Sequence, residues 1–113
     1  MNDTRAPRER TDIPDRLKWD LDVVYPDWEV WEADHAAVAA ALDGLSALRG
    51  TLADSAAALR GAVETLHDVY RRLEKLRVFA SMKSDQDTRV GENTERRGRA
   101  SQLGVKVAEA ASW

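Results

Sequence analysis

The sequence predicts an all-α fold, a three-helix up-down-up bundle preceded by an extended N-terminal segment. Composition is the first reason. Ala, Leu, Arg and Glu dominate the 113 residues, and only 6% are aromatic. Ala and straight-chain residues lose little entropy in a helix, so this mixture favours one. Periodicity is the second reason, because apolar residues recur at spacings of three, four and seven. Punctuation is the third, because capping and breaking residues fall between the periodic stretches.

Residues 1–13 are polar and mixed in charge and read as a flexible, solvated tail. Residues 14–26 are an extended lead-in bounded by Pro14 and Pro26. The first helix spans about 27–49. Pro26 marks its boundary, and Asp27 is suited to accept the free N–H groups of its first turn. Trp31, Val38, Leu42, Leu45 and Leu48 make its apolar face, which Asp34 interrupts. Gly50 stands where a C-terminal cap is needed.

The second helix spans about 55–83, capped by Asp54 or Ser55. Leu59, Val63, Leu66, Tyr70, Leu73 and Ala80 form a long stripe, widened by Leu76 and Phe79. Gly61 weakens its first turns and invites a bend. Residues 84–90 read as a connection. The third helix spans about 91–112, with Ala100, Leu103, Val107 and Ala111 on its apolar face and Gly98 and Gly104 allowing close helix contact. Trp19, Leu21, Val24 and Tyr25 of the lead-in are placed to cover one end of the core. The ending at Trp113, with no capping glycine and no polar tail, reads as a cut through a helix or its last turn.

Charge and hydropathy narrow the function classes. Hydrophobic residues are 43% and charged residues 33%, a balance that belongs to globular rather than disordered chains. The net charge of −3 gives no push toward nucleic acid. No stretch is apolar enough to span a bilayer or to form the core of a signal peptide. Cysteine is absent, which removes disulfides and thiolate chemistry and suits the reducing cytoplasm.

Three segments, in order, carry a family resemblance. Residues 19–34 read Trp-Asp-Leu-Asp-Val-Val-Tyr-Pro-Asp-Trp-Glu-Val-Trp-Glu-Ala-Asp. Residues 72–88 run from Arg72-Leu73-Glu74-Lys75 to Ser84-Asp85-Gln86-Asp87-Thr88. The third ends Ala111-Ser112-Trp113. Together they resemble the N-terminal domain of oligoendopeptidase F, within the thimet oligopeptidase-like zinc metallopeptidases, over roughly residues 17–113. Two usual tyrosines of the second segment are replaced by Arg77 and Phe79. The resemblance implies an all-helical zinc peptidase with a deep channel, in which residues 14–113 wall the channel and admit short peptides. It implies zinc in the full-length parent enzyme, short peptide substrates, and a C-terminal catalytic domain as the partner of this chain.

No family zinc ligand or catalytic residue carries over. Zinc hydrolysis needs two histidines four apart on a helix, with a glutamate as base. The two histidines here, His35 and His67, are far apart, and neither opens an H-E-x-x-H. No serine sits in a nucleophile elbow and no glycine loop cradles phosphate. Asp85 and Asp87 form a close acidic pair, a candidate for a cation or a basic peptide terminus in the channel. Their ordinary role is to accept backbone N–H groups at a helix end. Trp28 and Trp31 are candidates for the channel or an interface, though such aromatics more often pack a core. The basic groups Arg71, Arg72, Lys75 and Arg77, and Arg96, Arg97 and Arg99, could hold an anionic partner or make surface ion pairs. Two readings result. One is a catalytically inactive helical part of a zinc oligoendopeptidase. The other is a stand-alone helical protein-interaction module.

Overall fold

The computed structural model describes residue 6 and residues 8–113. Among them there is no strand. Three short 3-10 turns, Arg10–Asp12, Asp15–Leu17 and Leu21–Val23, precede four α-helices: α1 (Trp28–Ala40), α2 (Leu42–Ser46), α3 (Ala56–Gln86) and α4 (Gly91–Ala110). The expected tail falls partly on residues 1–5 and 7, outside the described residues. Within the rest of it, Glu9 is tied to Arg89 at 2.9 Å.

Helix α1 starts where expected. The Asp27 carboxylate accepts the Val30 N–H at 2.9 Å. The single helix expected over 27–49 is divided at Ala41 into α1 and the one-turn α2, just before Asp43-Gly44, two poor helix formers in succession. Gly50 then takes φ +79°, a left-handed conformation that a side chain would disfavour. For α3 the cap is Ser55, whose hydroxyl accepts the Ala58 N–H at 3.0 Å. Helix α3 runs unbroken through Gly61, so the helix is not divided there. It also continues through residues 84–86, which the sequence had placed in the connection. Ser84 is buried there and Asp85 reaches Arg97 of α4 at 3.6 Å, so tertiary contacts extend the helix by a turn.

Helix α1 runs antiparallel to α3 and parallel to α4, which makes the bundle up-down-up. Trp28 packs on Phe79, and Trp31 donates its indole N–H to the Leu76 carbonyl at 3.0 Å. Asp34 meets Arg72, while Glu32 meets Arg96 and Arg99. The core combines Leu21, Tyr25, Trp31, Val38, Leu45, Val69, Leu73, Leu76, Phe79, Leu103 and Val107.

Three packing expectations need correction. Leu59, Val63 and Tyr70 are not core residues but are 47%, 38% and 40% exposed; Ala62 and Val69 are buried instead. Helix α3 is 31 residues long against 20 for α4, so its first turns overhang its partner. Trp19 does not cover the core and is exposed, whereas Leu21 and Tyr25 are buried. Gly104 faces Leu73, but a Cβ at Gly98 would meet open space, so only Gly104 lies at a helix contact.

Candidate functional site

The chemistry-bearing side chains do not converge on one reaction centre. Among the described residues no group of three or more His, Asp or Glu could hold a metal ion. His35 stacks on Trp31 with ring centroids 5.3 Å apart, and its Nε2 is buried without a hydrogen-bond partner. Burial, and then the nearby Arg99 charge, hold the His35 pKa below the usual histidine value. His67 is exposed on α3 in a hollow shared with Glu64, Asp68 and Arg71. Among the described residues neither histidine stands in a set of zinc ligands.

The acidic pair separates in space. Asp85 projects toward Arg97 of α4. Asp87 caps the α3–α4 turn by accepting the Arg89 N–H at 3.0 Å, and it accepts from the Arg89 guanidinium at 2.7 Å. Those Arg89 bonds hold the Asp87 carboxyl down at about 2. Arg89 also grips Glu9, so one guanidinium ties the N-terminal segment to the turn. Each carboxylate has a cationic partner, and Asp87 also accepts a backbone N–H at the helix end. Asp85 also lines a shallow hollow with Arg10, Trp19, Met82 and Gln86.

The two tryptophans differ. Trp31 is fully buried and presents no surface, because its ring and N–H are both spent inside the bundle. Trp28 is half-buried, edge-on to Trp31 and Phe79, with the Arg96 guanidinium 4.4 Å above its ring. It is part of the packing between α1, α3 and α4.

The basic clusters are mostly occupied. Arg71 pairs with Asp68 and Arg77 with Glu74, both on the exposed surface of α3. Such exposed pairs contribute about 0–1 kcal/mol each. Arg96 and Arg99 instead converge on Glu32, where Arg99 donates two bonds at 2.6 and 2.8 Å. Those Arg99 bonds, helped by Arg96 and opposed by burial, hold Glu32 at about 2. Asp34 is the second joint. It accepts from the Tyr25 hydroxyl at 2.6 Å and from Arg72 at 3.0 Å. Burial opposes its charge, yet these donors hold its carboxyl below the usual range. Burial, and then the bond to Asp34, push the Tyr25 hydroxyl well above its ordinary value.

Sequence reasoning missed the roles of Tyr25, Glu32 and Asp34 as clamps. The one available signal was Asp34 itself, a carboxylate interrupting an apolar face. A polar residue in that position usually has a partner from another element.

The chain therefore offers a packed, polar-stapled bundle, and its sequence relatives say what it is like. No protein-family profile matches it, and no solved structure does. It is 38% identical over 104 residues to Group B oligopeptidase PepB of Streptococcus agalactiae, covering 92% of this chain and 17% of that protein. It is 37% identical over 103 residues to the plasmid oligoendopeptidase F of Lactococcus lactis subsp. cremoris, covering 90% of this chain and 17% of that protein. With oligopeptidase PepF of Bacillus subtilis the identity is 36% over 80 residues, 71% of this chain and 12% of that protein. The chain thus spans about a sixth of the length of the first two of these relatives. Over nine-tenths of its length it is a homologue of the oligoendopeptidase F peptidases, matching one segment of them.

Proposed function

We propose that residues 14–113 are the N-terminal helical domain of a zinc-dependent oligoendopeptidase that hydrolyses short peptides. The observation that carries this reading is the 38% identity over 104 residues to a protein named an oligopeptidase. In the proposal the bundle walls a substrate channel, and a C-terminal catalytic domain is its partner. A wall must keep its shape when peptides press on it. The Glu32 and Asp34 joints, each tying α1 to another helix, support that role.

The chemistry of such an enzyme is attack of a zinc-activated water on a peptide carbonyl. No step of it is assigned to this chain, neither of whose histidines stands in a set of zinc ligands among the described residues. The absence of cysteine fits a reducing compartment such as the cytoplasm. No helix is long and apolar enough to cross a membrane.

The test is a cleavage assay with an internally quenched short peptide. The purified 113-residue chain should give no turnover with or without zinc. The native gene product should cleave the peptide and lose activity to a chelator. Zinc-dependent turnover by the purified 113-residue chain would overturn the assignment of catalysis elsewhere. An inert native gene product would favour the stand-alone interaction module.

A further inference from the structure

Helix α3 carries more apolar surface than the bundle covers. Its buried face is Ala62, Val69, Leu73, Leu76 and Ala80. Beside it runs a second stripe, Leu59, Val63, Leu66 and Tyr70, at spacings of four, three and four, which is one face of a helix. Leu66 is half-buried, and the other three are 38–47% exposed.

Geometry explains the exposure. A Cβ at Gly104 would lie 3.9 Å from the Leu73 side chain, which sets the register of α3 against α4. The two helices are antiparallel and rise at about 1.5 Å per residue, so Ala110 comes level with about residue 67. The first three turns of α3 therefore project past the last turn of α4. On its other flank, α2 ends at Ser46 after a single turn. Leu59 and Val63 thus lie beyond the last turn of α4, and the stripe is continuous with the core through Leu66.

We infer that the Leu59–Val63–Leu66–Tyr70 face of α3 is a docking surface for an amphipathic helix from the rest of the same, longer polypeptide. The inference rests on the reading that this chain is part of a longer peptidase. Two arguments select that occupant over a second copy or a free protein. The matched segment is 17% of the length of the relatives, so most of such a polypeptide lies outside it. The patch is also small. Three half-exposed side chains and their surroundings offer at most a few hundred Å². A stable interface between separate molecules needs roughly 1,200–2,000 Å² in total. A tethered partner escapes most of the translational cost of association, so a small apolar face suffices for it.

The experiment is thiol labelling of the native gene product, read by peptide mass mapping over these 113 residues. The 113 residues contain no cysteine, so single replacements within them report their own sites. Leu59→Cys and Val63→Cys probe the stripe. Ala57→Cys, an exposed position on another side of the same helix, is the reference. All three are exposed sites, and far-UV circular dichroism confirms that each variant folds. The expected result is labelling at 59 and 63 at least about tenfold slower than at 57, the mark of a covered site. Equal rates in a gene product much heavier than 12.6 kDa would overturn the docking inference and leave the peptidase reading standing. A gene product of 12.6 kDa would overturn both. Protection that grows with protein concentration would assign the face to a second copy and overturn the intramolecular occupant.

Discussion

Glu32 shows how a single carboxylate serves the bundle. It sits on α1, accepts from Arg96 and Arg99 of α4, and is held at about 2. A carboxyl with a lowered folded-state pKa contributes its stability fully above its ordinary value of 4.5 and loses it as the pH falls toward 2. Glu32→Gln should therefore destabilise the chain at neutral pH and flatten its stability profile below pH 4.5. Its side chain is 36% exposed, so water screens the pair and the expected loss is about 1–2 kcal/mol by urea unfolding. His35 acts in a different window. Burial and Arg99 lower its pKa, so the unfolded chain takes up its proton first as the pH falls below 6.5. The native state should lose stability from that point downward, and His35→Asn should remove the part of the loss that precedes the carboxylate window. A variant as acid-sensitive as the parent between pH 6.5 and 4.5 would show that His35 is not the group responsible.

At the scale of elements, local chemistry was readable and long-range chemistry was not. Asp27 and Ser55 cap their helices because a short side-chain oxygen beside an apolar-periodic run suits nothing else so well. Gly50 takes the left-handed turn that only glycine adopts at no cost. The buried half of α3 follows its 3.6-residue period from Leu73 to Ala80. What the period could not supply was the relative length of the neighbours, so Leu59 and Val63, on the flank of buried Ala62, stay half-exposed. The Tyr25–Asp34–Arg72 and Glu32–Arg96–Arg99 joints link residues 9 to 67 positions apart, and no local pattern announces such pairs. The continuity of α3 through Gly61 gives a prediction at this scale. A Cβ there meets nothing within 4 Å, and the backbone is already helical. Gly61→Ala should stabilise the chain by about 0.5–1 kcal/mol, read as a raised thermal midpoint. The same argument holds for Gly98 on α4. Ser55→Ala should act in the opposite sense, costing about 0.5–2 kcal/mol through the lost cap.

At the scale of the whole molecule, the bundle is built to hold its shape and presents an uncovered apolar face. Trp31 and Trp113 each spend an indole N–H on a carbonyl of another helix, Leu76 and Leu45 respectively. These bonds pin α1 to α3 and the end of the chain to α2. The all-helical class was legible because composition, periodicity and caps all agreed. Of the candidate site residues, Asp85, Asp87 and Trp28 lie at or near the surface, while Trp31 is in the core because its ring fills the space between α1 and α3. Sequence alone could not rank those aromatics, since burial depends on neighbours 45 residues away. The central claim, that these helices serve as one part of a much larger oligoendopeptidase F-type enzyme, meets its most direct test in the intact mass of the native gene product from its source cells. The relatives matched over 17% of their length set the expectation of a mass roughly six times the 12.6 kDa of this chain. A native mass of 12.6 kDa would contradict the account and leave a stand-alone helical module in its place.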